Sequence, residues 1–416
     1  MKLMVCVAQW VQCAPPRRGV LLIALLVFGA CVQSAAANAQ TPLARQRLSL
    51  ASAQAVPDHT LAMQDEAATL LAQVRIAPRA ADLGRAEKLV DRLLAMGAPR
   101  AEALNAWRLL IGHRFDEALA AARRARSAAN DPLLAAVSEA DALAELGRYD
   151  EAETTVQYLL DHHYGIAALA RASHLRMLFG DLPGAMEFAA VAIASSPAGV
   201  DRAWLQLDLA ELQLMAGTPA AALSLALAAV GDLPAPALSM QARAHAALGN
   251  APAALALYRV AATTNLRAET LLEVMRLARA LGDHGLARRT ATVLDGMARL
   301  DAVGTGSDRR CFLEFYLERG DVTTAETLAR AEWRQRPDIY GAAQLAWVLY
   351  RADKMREAQA YGAYAIRLGT PDPQLQWRAG MVLAANGEAR GTTLMAAAVA
   401  RDARLTAGAP SVALRP

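Results

Sequence analysis

A glycine followed five residues later by an alanine recurs along this chain: Gly147/Ala152, Gly180/Ala185, Gly217/Ala222, Gly249/Ala254, Gly282/Ala287 and Gly320/Ala325. Ala86, Ala118 and Ala358 extend the alanine column with Ala81, His113 and Asp353 in the glycine's place, and Gly387/Thr392 closes it. Successive anchors lie 32 to 38 residues apart. Glycine is 26 of 416 residues yet fills seven of these ten slots, where chance would place fewer than one. A period of this length means one small unit stacked many times, because such a unit cannot bury its apolar surface alone.

Other columns define that unit. Twelve residues before the anchor stand Ala106, Ala140, Ser173, Ala210, Ala242, Ala346 and Gly380, small enough for two helices to approach closely. Ala125, Ala192, Ala229, Ala261 and Ala365 follow the anchor by seven, on its own helix face. Pro197, Pro234 and Pro337 follow it by twelve, with Pro132 and Pro371 slightly further on, where proline should end the second helix. The composition, 55% hydrophobic but only 5% aromatic, favours close-packed helices over a sandwich or barrel.

Helix, glycine turn, helix and proline stop together resemble the tetratricopeptide repeat. The resemblance runs from about Ala62 to Arg404 and is clearest in "LFGDLPGAMEFAAVAIASSP" and "AWVLYRADKMREAQAYGAYAIRLGTP". It implies an all-α fold, a right-handed superhelical α-solenoid of nine to ten stacked helix-turn-helix repeats, the first of them degenerate around Ala86. Residues 61–404 form that solenoid, 40–60 a flexible tether and 405–416 a disordered tail. The longer intervals before Ala222 and Ala325 predict inserted loops, the second containing "LDAVGTGSDRRC", Leu300–Cys311.

Residues 1–39 read as a secretory signal peptide. "PPRRG" supplies positive charge, "GVLLIALLVFGACV" an apolar run, and "SAAANAQ" a small-residue cleavage site after Ala39. Two sharper readings of the leader compete: "RRGVLL" resembles a twin-arginine signal, and "FGAC" resembles a lipoprotein cleavage box with Cys31 as the lipidated residue. Lys2, Arg17 and Arg18 account for the whole net charge of +3, so the processed chain is neutral and offers no bulk attraction for nucleic acid or an acidic membrane. Membrane association would come only through the leader or a lipid at Cys31. With Cys6, Cys13 and Cys31 in the leader, Cys311 is left without an internal disulfide partner and should be a buried, inert thiol.

No zinc-protease, nucleophile-elbow or phosphate-loop motif is present. "GTGS" at Gly304–Ser307 is too short for a nucleotide fingerprint. His162 and His163 point about 100° apart on a helix and read as a polar helix end. "RRAR" at Arg123–Arg126 and the pair Arg309–Arg310 read as solvated faces. No cofactor or metal is expected.

In the tetratricopeptide family the first helix of each pair lines a concave groove. Carried over, the groove column is Trp107, Asp141, His174, Glu211, Arg243, Arg276, Glu314, Trp347 and Met381. Tyr340, Tyr350 and Arg351 should share a face with Trp347, and Arg279 should lie near Arg276. Aromatics flanked by arginine would suit a peptide with apolar and acidic side chains, although the same aromatics could simply pack between helices. The Lys and Asn of the family's clamp for chaperone C-terminal carboxylates are missing from these columns. The segment from Pro337 to Gly387 resembles the C-terminal part of exported bacterial tetratricopeptide proteins. The expectation is a periplasmic, non-enzymatic scaffold binding protein or peptide in the groove. A lipid-anchored subunit of an envelope assembly or secretion machine is the alternative, and a groove-sited enzyme a third reading. Oligomeric state and pathway are not written in the sequence.

Overall fold

The computed structural model describes residues 58–76, 79–128, 131–303 and 309–407. The signal peptide with Cys31, the "GTGS" segment and the tail beyond Ala407 lie outside the described residues, as does the tether before Asp58. Within the described residues the chain folds into ten consecutive helix pairs. The first four are Asp58–Ile76 with Ala80–Ala95, Ala101–Ile111 with Phe115–Ser127, Pro132–Glu145 with Tyr149–His162, and Ile166–Leu178 with Leu182–Ser195. Pairs five to seven are Val200–Met215 with Pro219–Ala229, Pro234–Ala247 with Ala251–Thr264, and Ala268–Ala280 with His284–Val303. Pairs eight to ten are Arg309–Glu318 with Val322–Gln335, Ile339–Arg351 with Met355–Ala365, and Pro373–Ala385 with Ala389–Arg401. A final short turn, Arg404–Ala407, follows. Each helix packs on the next, and several neighbouring first helices also touch one another, making a solenoid of the tetratricopeptide kind.

The repeated columns do the work their size implies. The anchors from Ala86 to Ala358 are all buried. Ser173 in the small column donates its hydroxyl to the carbonyl of anchor Ala185 at 2.8 Å. The turn column adopts left-handed backbone not only at its seven glycines but also at His113 and Asp353, with φ of 55° and 58°. Asp131, Asp181, Asn250, Asp321, Asp338 and Asp372 cap the helices they precede by accepting an N–H of the first turn.

Four details differ from the sequence reading. Thr392 is exposed, and the small slot of pair ten belongs instead to Gly391, where a Cβ would stand 2.4 Å from the nitrogen of Ala384. Pro132 and Pro234 do not end a helix; they open the next one, where a missing amide costs nothing. The longer intervals extend helices more than loops, giving 16 residues to Val200–Met215 and 20 to His284–Val303. Leu300–Val303 and Arg309–Cys311 are therefore helical. The first helix also begins at Asp58, inside the expected tether.

The coil closes on itself. Gly147, in the turn of pair three, lies against the loop that follows pair eight, so that a Cβ there would sit 2.3 Å from the Pro337 carbonyl oxygen. Gly180 of pair four meets the Gly369 carbonyl after pair nine at 2.6 Å, and Gly217 of pair five meets Arg401 at 3.4 Å. The repeat of this pattern fixes five pairs to a turn. Across the same seam the Ile339 amide donates to the Tyr149 hydroxyl at 3.0 Å, and Gln335 donates to the His113 carbonyl at 2.7 Å. Arg336 pairs with Glu145 and lies 5.1 Å from the Phe115 ring centroid. Arg367 donates to the Gly147 carbonyl at 3.1 Å and stacks over Tyr149 and Tyr364. The largest apolar cluster accordingly joins Ala106–Met215 to Ile339, Ala342, Ala365 and Leu375.

Gly249 provides the control for this contact, because its φ is +80° but nothing lies within 4 Å of its missing Cβ. Gly249→Ala should cost about 1 kcal/mol, from backbone strain alone. Gly147→Ala should cost about 1–3 kcal/mol more, since the Pro337 carbonyl must move. Denaturant midpoints check the difference and small-angle scattering the widened coil; equal losses would remove the seam from the account.

Candidate partner-binding lumen

The first helices face the interior of the coil, and the groove column lies there as an ion-pair ladder. Arg171 binds Asp141 at 2.5 Å, and Arg243 of pair six binds Glu211 of pair five with one contact at 2.7 Å. Arg276 reaches Glu273 at 2.6 Å and Glu314 at 3.6 Å, and also contacts Glu318, to which Arg279 adds a 3.6 Å contact. Glu314 also receives both nitrogens of Arg378 at 2.6 and 2.7 Å. Burial opposes ionisation of Glu314, yet Arg378, with Arg276 and Gln344, holds its carboxyl below the usual range. Arg243, Arg276 and Arg279 of the expected groove thus each have a carboxylate partner within the chain.

The aromatic part of the expected site is interior. Trp347 and Tyr350 are buried, their rings stacked at 5.3 Å with 13° between planes. Trp377 of pair ten closes over them, 5.4 Å from Trp347. Arg351 lies 5.8 Å from the Trp347 ring centroid, so the Trp–Tyr–Arg group is real but covered. Tyr340 leans across the seam to the Met177 sulfur at 3.8 Å. Trp107 and Met381 are half-buried. His162 and His163 gather on Tyr158 at the end of their helix, at 4.4 and 5.8 Å between ring centroids. Arg123 and Arg126 both bind the buried Glu139, and Arg309 and Arg310 both bind the buried Glu332, so neither pair is a free basic patch. Cys311 is buried and forms no disulfide among the described residues.

Opposite turns meet across the enclosed space. Asp372 of pair ten senses Glu211 and Arg243 of pairs five and six, with burial the main influence pushing its carboxyl up. His174 is exposed to water. A cleft of about 200 Å³ opens here, lined by Arg310, Tyr340, Gln344, Asp372, Gln374 and Arg378. Gln344 spends its amide nitrogen on Glu314 and on the Arg310 carbonyl, while its Oε1 is buried without a hydrogen bond. This standing acceptor, and the seam residues Arg336 and Arg367, carry no signal in the sequence beyond their residue type.

No protein-family model matches the chain. No curated protein matches it in sequence. Among solved structures, human IFIT1 as a dimer with PPP-AAAA is 14% identical, with 70% of this chain and 80% of that one covered and a TM-score of 0.43. PilW, a widely conserved type IV pilus biogenesis factor, is 19% identical over 49% of this chain and 93% of its own, with a TM-score of 0.40. A tetratricopeptide repeat protein from Parabacteroides merdae is 19% identical over 59% and 94%, with a TM-score of 0.32. Identities this low say nothing of partner or activity.

His113 gives the seam a pH signature. Burial, aided by Arg336, lowers its pKa from 6.5. A histidine depressed in the folded state contributes stability above its unfolded pKa and loses it as pH falls through the folded value. The melting temperature should therefore fall as pH drops below about 6.5. His113→Asn, which tolerates the left-handed backbone at 113, should flatten that decline. An unaltered pH slope in this variant would contradict the assignment.

Proposed function

We propose that this chain is a non-enzymatic scaffold of the bacterial periplasm that holds an extended segment of a protein or peptide partner in its lumen. The observation that carries the reading is the polar cleft of about 200 Å³, whose lining sets the donors of Arg310 and Arg378 beside the carboxylate of Asp372 and the amide of Gln374. A bound polypeptide backbone brings hydrogen-bond donors and acceptors to match such a lining. The ladder around it selects against polyanions, because each arginine would have to give up a carboxylate to take a phosphate. A chain that brings both donors and acceptors, as a polypeptide backbone does, fits without breaking those pairs. Export rests on the tripartite leader. No helix among the described residues is long and apolar enough to cross a membrane. The second reading, a lipid-anchored subunit of an envelope assembly, rests on Cys31 in "FGAC".

A photo-crosslinking residue in place of Gln374, exposed at the cleft, should capture a polypeptide in intact cells. The same residue in place of Val260, exposed on the second helix of pair six, should not. Gln344→Leu should reduce the yield from position 374 about fivefold, the value of one hydrogen bond. Captured nucleic acid, or equal capture at both positions, would overturn the lumen reading. The processed protein should have the mass of a chain beginning at Gln40; an attached fatty acid that disappears in Cys31→Ala would instead establish the anchored form.

A further inference from the structure

We propose that the chain associates head to tail with a second copy of itself, continuing the seam that already joins its own two turns. The seam is built from two edges that repeat with every helix pair. One is the turn between the two helices of a pair, with its left-handed glycine. The other is the loop after the pair, near the residue twelve positions past the anchor. Gly147 and Gly180 present the first edge; Pro337, with Gly369 and Thr370, presents the second. Five pairs separate the partners, and ten pairs make two turns.

The first edge continues, uncovered, into the second turn. At Gly249, Gly282, Gly320 and Gly387 nothing lies within 4 Å of a built Cβ. Leu146, just before Gly147 and under the Pro337 loop, is 7% exposed. Phe179, before Gly180, keeps an exposed flank beside Gly369. Leu248 and Leu281, in the same position before Gly249 and Gly282, are 48% and 43% exposed. The second edge is likewise open on the first turn. Tyr164, after pair three, occupies the column of Pro337 and Thr370 and is 69% exposed, with Met96 exposed on the loop after pair one.

One molecule therefore carries both halves of an interface that its own fold shows to be complementary, each half displaying apolar side chains. A second copy placed with its first turn on the second turn of this one repeats the five-pair offset, setting its Met96 and Tyr164 loops over the turns at Gly249 and Gly320. Such a contact is heterologous and does not close, so stacks lengthen with concentration. It leaves the lumen continuous between copies and does not depend on what the lumen holds.

The test uses the protein purified as its host cell processes it, with mass measured by light scattering between about 1 and about 100 µM, where weak protein contacts form. The expected result is a monomer that passes into dimers and longer stacks. Leu248→Glu with Leu281→Glu, or Tyr164→Glu alone, should each hold the chain monomeric with unchanged helicity and melting temperature, since these side chains are exposed. Mixing the two variants should then yield a dimer that grows no further, because each still carries one intact edge. A wild-type chain that stays monomeric would overturn the proposal. So would association that survives both variants, or a mixture that remains monomeric. Shielding of Leu248 and Leu281 in a monomer would assign the edge to the chain's own leader or another partner, with the same consequence.

Discussion

The close approach of the Gly147 turn to the Pro337 carbonyl is the contact on which the shape of the molecule depends. A stack of helix pairs is ordinarily held by nearest neighbours, and small rotations between pairs set its pitch. Here consecutive turns touch, backbone against backbone, at Gly147, Gly180 and Gly217. A side chain at the first two would hold the turns apart by its own thickness. The hydrogen bond from Ile339 to Tyr149 and the Arg336–Glu145 pair then fix the register once the gap is closed.

The loop that meets Gly147 must itself be rigid, and charge achieves this. Asp338 caps its helix through the Gly341 amide at 2.6 Å and accepts Arg310 at 2.8 Å. Glu332 accepts Arg310 at 2.7 Å and Arg309 at 3.2 Å. Buried ion pairs add little net stability, because desolvation cancels much of their attraction, but breaking one leaves a costly orphan. Their value here is geometric: Gln335, Arg336 and Pro337 are presented to pairs two and three in one arrangement. The lumen uses the same logic, with Glu314 gathering Arg276, Gln344 and Arg378 from three different pairs.

Much of this fold was legible in the sequence because each pair repeats one local geometry. The glycine column marks left-handed turns so well that His113 and Asp353 could be placed there without a glycine. Thr392 was misassigned because two small residues, Gly391 and Thr392, stand side by side, and only the contact between the Gly380 carbonyl and Gly391 decides between them. The seam was not legible at all. It depends on how many pairs complete a turn, a sum of small angles that no local spacing encodes. For Trp347 the sequence left two readings open, and packing between helices is the one observed, because Trp377, 30 residues later, covers it. The ion pairs between neighbouring helix pairs, as in Arg243 with Glu211, were not legible because residue type along a column does not say which charges meet.

Closing the coil changes how the solenoid holds together. In an open array the terminal pairs have one neighbour and fray first. Here pairs eight to ten have a second set of neighbours, reached across 190 residues between Tyr149 and Ile339. Loss of a terminal pair therefore also uncovers the turns of pairs two to five, which couples the two ends and raises the cooperativity of the whole. The same coupling ties the lumen to the seam, because Tyr340 contacts Met177 across the seam and lines the Gln344 cleft. Parting the turns would widen the cleft and break the Tyr340–Met177 contact in one movement. A partner entering the lumen thus works against the seam, and one that fits the closed coil strengthens it.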